Sequence, residues 1–509
     1  MHGGTPIMEK VAATPRIAIR LVLAAGLLGC SHEYQLADET SQPPTTQPSA
    51  VQPSLPLPSD PPLDAAEPPP QQQSPAPIRS ATPEPAPTEP AQFQPAQFDF
   101  SSLPPESPAA DQFPNWIAQH RRSLKWQRHD TPPQLTAAVL SESLELGRQY
   151  LVHNQTPQGN FNYQYDFVTR QLDHDDNQVR QAGATWGLAL ILRHRPDPET
   201  RAALDRAMQF FFRHTKLGPE PGTLLIEYAG NPDSSTGTMA LVSLAIIETL
   251  RADTEGRIRL DDIYRTELNA QLDGYLAMLK YLRMPNGHFA QSFSLRFGRK
   301  LPLSSPYFDG ESLLCLIQAA KYLHRNNLIP LIEESAMAMA RHYTLEAWQD
   351  DPDSAQTKGF FQWSCMAFWE YQDAGWRDSP VFADCVVSLA HWMIHTHRTL
   401  SRTRNTAYAY EGIIPAWQLA VAQGDHAAAE DLAYTIDTGL TKLTSWQVGG
   451  PLQTSNPFLL AHPTTDPLAI GGIMNHSEEA PLRIDVTQHQ THAVIMALEN
   501  VYSVDQLRR

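Results

Sequence analysis

Cysteine is scarce in this chain: four in 509 residues, at Cys30, Cys315, Cys365 and Cys385. No CxxC and no Cys-His pair stands at a zinc-binding spacing, which argues against a structural zinc site. Cys365–Cys385 is the conceivable disulfide. Cys315 and Cys365 lie in apolar helical runs, where a free cysteine behaves as a small core residue. Equally absent are GxSxG, a P-loop, a dinucleotide fingerprint and HExxH. Positive charge is in deficit, with 38 basic against 55 acidic residues and a net charge of −17. That balance argues against nucleic acid and anionic membrane surfaces as partners. After residue 30 no stretch is long and apolar enough to cross a bilayer. No cofactor and no metal is expected.

What is present begins with an address. Lys10, Arg16 and Arg20 precede a short apolar run, 21–28, too short to span a membrane. The run ends in Leu27-Leu28-Gly29-Cys30, which resembles a bacterial lipobox. The resemblance implies cleavage before Cys30 and lipidation of that cysteine. Ser31 is not of the inner-membrane retention type, so the same resemblance places the chain in the cell envelope, at the outer membrane. Residues 31–110 hold 21 of the 44 prolines and ten Asp or Glu against the single Arg79. Such a segment buries too little apolar surface to fold and reads as an extended, disordered spacer.

Residues 111–509 carry no second linker and read as one all-α domain. Residues 111–133 are expected to be an irregular lead-in pinned by Trp116 and Trp126. Amphipathic helices then alternate with helices too apolar for a surface. The apolar ones are expected at 176–193, 236–250, 309–324, 362–371, 406–422 and 485–502. The amphipathic ones precede them, for example from Asp197-Pro198, a cap followed by a first-turn proline, with Leu204, Met208 and Phe211 as the inner stripe. Asp175 or Asp176 is expected to cap the first apolar helix. Gly159-Asn160-Phe161, Gly287-His288-Phe289 and Gly359-Phe360-Phe361 recur between an outer and an inner helix. Six such pairs predict an (α/α)6 toroid, since repeats must stack to bury their apolar faces and closure removes the ends.

Connections are asymmetric. Inner-to-outer links are tight, whereas outer-to-inner links are long at 156–175, 216–235, 283–308, 348–361 and 444–484. In a toroid the long ones share one face, and loops of that length are usually functional. The site is therefore expected at that mouth, with polar groups converging from inner-helix N-termini. The helix count, the aromatic loops, and the phrases Pro306-Tyr307-Phe308-Asp309-Gly310-Glu311 and Arg483-Ile484-Asp485-Val486-Thr487-Gln488-His489 together resemble the six-hairpin glycosidase superfamily. That group includes glucuronyl hydrolases, polysaccharide lyases and sugar epimerases. The resemblance is one of architecture, implies action on a glycan or saccharide, and gives no residue a role.

Glycan hydrolysis needs two carboxylates flanking the bond. The candidates are Asp176, Asp309, Glu311, Glu411 and Asp485, each near the start of an inner helix, where carboxylates also serve as plain caps. The glycine between Asp309 and Glu311 is expected to permit an unusual backbone. His489 joins the catalytic candidates; with His492 it offers a base and its partner, or metal ligands that lack a third member. Tyr163, Tyr165, Tyr307, Trp363 and Tyr410 would stack on sugar rings or plug the core. Arg180 and Arg483 would bind a uronate carboxylate through a bidentate fork, or pair with Asp176 and Asp485. The leading expectation is an envelope lipoprotein that hydrolyses, eliminates or epimerises a glycan. The alternative is a non-catalytic saccharide- or protein-binding lipoprotein, since a toroid alone does not imply activity. Prenyl-chain and lanthipeptide-cyclase toroids need an Asp-rich motif or a zinc site, and the sequence has neither.

Overall fold

The computed structural model describes residues 110–503 apart from residue 174. The expected signal segment 1–30 with Cys30, and nearly all of the spacer 31–110, lie outside the described residues. The lead-in is more regular than its sequence suggests: α1 (Phe113–Ser123) is a helix packed on the helix Ser379–His391. From Leu124 the chain runs along α13, where Asp431 accepts from the Gln127 amide and Asp437 from the amides of Gln134 and Leu135. Trp126 meets His391 edge-on.

The remaining helices alternate outside and inside. Outer helices are α2 (Ala137–His153), α4 (Pro198–Arg213), α6 (Asp262–Leu282), α8 (Ile329–Ala340), α11 (Ser379–His391) and α13 (His426–Thr444). α8 runs through a π-helical turn (Arg341–Glu346) into the single turn α9 (Ala347–Asp350). Inner helices are α3 (Gln178–His194), α5 (Thr236–Thr254), α7 (Pro306–Leu323), α10 (Ala355–Asp373), α12 (Ala407–Ala422) and α15 (Ile484–Asn500); α14 (Pro457–Ala461) is a turn in the last long loop. The inner helices pack in the order α3, α5, α7, α10, α12, α15, and α15 returns to α3. The ring is closed, so the fold is the (α/α)6 toroid. Closure leaves the inner helices little contact with water, and α5 is buried along nearly its whole length. Outer helices bury one stripe, as α4 does with Leu204, Met208 and Phe211.

Packing pairs each outer helix chiefly with the inner helix before it, across the tight turn, rather than with the one after it. The sixth hairpin joins the two ends of the domain, α15 with α2. Side chains set the starts. Asp197, Asp261 and Asp425 cap α4, α6 and α13. The cap of α3 is Asn177, which accepts from the amides of Val179 and Arg180, not Asp175 or Asp176.

The long connections gather on one rim and are tied together by short strands. β1 (Gln164–Asp166) pairs with β2 (Gln171–Leu172) and with β8 (Pro481–Arg483). β3 (Thr215–Leu217) and β4 (Leu224–Ile226) form a hairpin. β5 (Asp233–Ser235) pairs with β6 (Ser292–Ser294), which pairs with β7 (Arg299–Lys300). Gly159 and Gly287 begin the same turn, with φ of 103° and 88°, a region that only glycine enters freely. The turns close through bridges Gln155–Phe161 and Arg283–Phe289. The third expected copy differs: Gly359 lies in the first turns of α10, which starts seven residues before the predicted 362, so the 348–361 loop shrinks to 351–354. Its glycine serves a close approach, since a Cβ there would meet Pro306 and Tyr307.

Cys315, Cys365 and Cys385 are buried free thiols, so the conceivable Cys365–Cys385 disulfide is not formed. Among the described residues no helix is long and apolar enough to cross a membrane.

Candidate functional site

A cavity of about 750 Å³ opens at the loop-bearing mouth of the ring. α3, α7, α10 and α15 supply its walls, with the segment 402–406 and Asn475 from the last long loop. Seven of the residues singled out from the sequence for catalysis or binding line it: Arg180, Tyr307, Glu311, Trp363, Arg483, Asp485 and His489.

His489 is placed by the second turn of α15. Its Nδ1 lies 2.9 Å from Glu411 Oε2, and His492, one turn on, places its Nδ1 2.8 Å from Glu411 Oε1. Glu411 is fully buried on α12 beneath the cavity wall and does not line the cavity. An ionised carboxylate only accepts, so each Nδ1 carries hydrogen. In the neutral His489 ring the lone pair is then on Nε2, which bonds no other described residue. Burial works against the imidazolium, but Glu411 outweighs it and Asp485 adds to the effect, so the His489 pKa is raised. Burial likewise opposes the charge on Glu411, and the two imidazoles overcome it and lower its pKa. The pair is a base held by an ionised orienting partner. The three groups do not form a metal site, and among the described residues no cluster of His, Cys, Asp or Glu is arranged to hold one.

Glu311 is a second kind of group. It is 3 % exposed, and its Oε2 has no hydrogen-bond partner among the described residues. Burial raises its pKa well above the ordinary carboxylate value and so favours the protonated acid. Gly237 makes room for it: a Cβ at 237 would fall on Glu311 Oε2 and on the Phe308 ring. Gly310 does not carry the unusual backbone expected of it. It sits inside α7, where its missing side chain admits the Trp363 Cβ and so brings α10 close. Trp363 is buried with an unpartnered Nε1, its ring 6.1 Å from that of His489.

Asp485 is bound on both oxygens. Arg483 forks onto it at 3.0 and 2.9 Å, and Arg180 approaches to 3.2 Å. The two arginines are thus used within the protein rather than left open for a uronate. Tyr163 backs the Arg180 guanidinium at 5.4 Å.

Several sequence candidates stand outside the cavity. Asp309 is wholly buried and accepts from His288 at 2.7 Å, from the Phe289 amide at 2.7 Å and from the Tyr343 hydroxyl at 2.5 Å, tying α7 to the loop before it. Asp176 accepts from Gln181 and Tyr228, fixing the start of α3. Tyr410 is buried against Gly439 of α13. Tyr165 bonds Asp466 in the last long loop. The sequence reading missed Lys358, Arg402, Arg404, Asn405, Tyr408 and Gln488, all of which line the cavity. The run Arg398-Thr399-Leu400-Ser401-Arg402-Thr403-Arg404 carried a signal in its repeated arginines. Length, not charge, marks the functional loops in the sequence, and this run is short.

No protein-family model matches this chain, and neither does any curated protein. Among solved structures it resembles a D-mannose isomerase with a TM-score of 0.51 and 12 % identity, over 73 % of this chain and 100 % of that one. It resembles a sugar epimerase from a ruminal bacterium with a TM-score of 0.50 and 11 % identity, over 72 % of this chain and 100 % of that one. What is shared at such identities is the fold alone, an (α/α)6 toroid.

Proposed function

We propose that the cavity is a carbohydrate active site that moves a proton beside the carbonyl carbon of an open-chain sugar, isomerising or epimerising it. One observation carries this reading: of the carboxyl groups near the mouth, Glu311 alone is unengaged, and its chemical partner in the cavity is an imidazole. Glu411 is taken up by two histidines and Asp485 by two arginines. Asp309 is walled off. Hydrolysis wants a second free carboxylate as nucleophile or base, and none is free. Isomerisation wants one base and one acid. His489 Nε2 takes the proton from the carbon next to the carbonyl while Glu311 gives its proton to the carbonyl oxygen, leaving an enediol. For isomerisation the other enediol hydroxyl gives its proton to Glu311 and His489 delivers its proton to the former carbonyl carbon. For epimerisation the first hydroxyl gives its proton back and the original carbon is reprotonated on its opposite face. Either way both groups end as they began. The isomerase and epimerase named above share the fold that frames this cavity, which supports the sugar assignment.

The second reading is hydrolysis, with Glu311 as acid and Asp485 released from its arginines by substrate. Incubating the protein with a panel of aldoses, sugar acids and envelope oligosaccharides separates the two. New isomers without new reducing ends support proton transfer, and new reducing ends without isomers overturn it. The address belongs to the same proposal: Leu27-Leu28-Gly29-Cys30 supports a lipid anchor that holds the domain at the outer membrane of a cell envelope, with residues 31–110 as spacer.

A further inference from the structure

The cavity is electropositive in an acidic protein. Arg180, Lys358, Arg402, Arg404 and Arg483 line it, against Asp485 and Glu311, whereas the chain as a whole carries −17. Arg180 and Arg483 both pair with Asp485, which offsets one of their two charges. Most of the excess lies on one wall, formed by the first turn of α10 and the segment leading into α12. There Arg402 shares Asp353 with His397, at 3.3 Å and 2.7 Å. Neither Lys358 nor Arg404 has a carboxylate within ion-pairing distance among the described residues. Lys358 is half-buried, its Nζ 3.1 Å from the Tyr307 hydroxyl and 5.0 Å from the centre of the Tyr408 ring. Held near two tyrosine rings at a solvent-exposed contact and without a carboxylate partner, the Lys358 ammonium is open to an anion that enters the cavity.

We infer that the substrate is an anionic sugar, and that Lys358, Arg402 and Arg404 receive its carboxylate, sulfate or phosphate while Tyr307 and Tyr408 flank the ring. This rests on the proton-transfer reading of the same cavity and adds its substrate class. An anion in a cleft lined by one sign of charge is held strongly and steered in from a distance. The acidic exterior meanwhile repels it from everywhere else, so selection for the anion occurs at the mouth alone.

Calorimetric titration of the intact chain tests this, using hexuronates, hexose sulfates, hexose phosphates and the matching neutral hexoses, with wild type, Lys358→Met and Arg404→Gln. One anionic arm is expected to bind at least roughly tenfold more tightly than its neutral counterpart, a charged hydrogen bond's ordinary contribution. The arm that does so identifies the group. Each variant is expected to weaken anionic sugars much more than neutral ones and so remove most of that preference, and added salt to weaken it. Arg404 is exposed, so Arg404→Gln keeps the test open should Lys358→Met impair folding. Neutral sugars that bind as tightly as anionic ones, or a preference that survives both variants, would overturn this inference. The proton-transfer reading would then still stand on His489. Failure of every sugar to bind overturns both.

Discussion

The bond between His489 Nδ1 and Glu411 Oε2, 2.9 Å long, sets the tautomer of the imidazole, raises its pKa and leaves Nε2 as the basic atom. Because Glu411 is buried on a different helix, α12, the bond also reports how two adjacent inner helices are registered. Replacing Glu411 by Gln removes the charge and keeps the shape. His489 then loses the interaction that favours its charged form, so its pKa falls. A base works when deprotonated, so the acid limb of the rate profile is expected to move to lower pH in Glu411→Gln. Turnover at the optimum is expected to drop as well, by roughly ten- to a hundredfold for a misoriented base. A pH–rate profile of both proteins checks this. An unmoved limb would mean that the limb belongs to another group.

Glu311 makes an opposite, stability-based prediction. Its folded pKa lies above the unfolded one, so the folded chain keeps a proton that the unfolded chain releases. Stability is then lost as pH rises from the ordinary carboxylate range toward the raised value. Glu311→Gln cannot release that proton. It is expected to be inactive yet to melt progressively higher than wild type as pH rises, in thermal melts taken across the acidic to neutral range. Equal pH dependence in the two proteins would contradict a protonated Glu311.

Gly237 tests the same carboxyl from the other side. In Gly237→Ala the new methyl would fall on Glu311 Oε2 and Phe308. Overpacking of that kind costs about 1–3 kcal/mol. Activity is expected to fall much further than stability, because the displaced atom is the acid. Activity assays beside denaturant melts separate the two effects.

Asp309→Asn is expected to behave as a folding variant. It leaves His288 and Tyr343 without the carboxylate that joins them, and a buried group left without its hydrogen-bond partner costs about 1–3 kcal/mol. A large drop in melting temperature with kcat per folded molecule retained is the expected result. The reverse pattern would return Asp309 to the chemistry.

The three thiols give a control on the fold. Burial raises the pKa of Cys365 and Cys385 well above that of a free thiol and pushes Cys315 up to about 12. A thiol reagent is expected to label none of them until denaturant unfolds the ring, and a reductant to leave the melting temperature unchanged.

The ring was legible in the sequence because a buried helix and a half-buried one have different textures, as 236–250 and 197–211 show. Boundaries were less so: α10 begins at Ala355 because polar Gln356, Thr357 and Lys358 belong to its first turn, and such a turn reads as loop until tertiary packing is known. The site was legible by residue type but not by partner. Glu411, His489 and His492 stood out separately, yet nothing in their spacing says that one carboxylate on α12 holds two imidazoles on α15. Asp309 and Glu311, two residues apart on α7, have opposite fates. One meets a loop histidine and the other meets the gap left by Gly237, and that distinction lies in the neighbouring elements. The basic wall escaped notice because Lys358 and Arg404 are far apart in sequence and ordinary alone.

The most direct test is proton exchange. Substrate recovered after incubation with the protein in heavy water is expected to carry deuterium at the carbon beside the carbonyl, read by proton NMR, and His489→Ala is expected to abolish that label. Cleavage with no deuterium on carbon, or labelling undiminished in His489→Ala, would contradict the account.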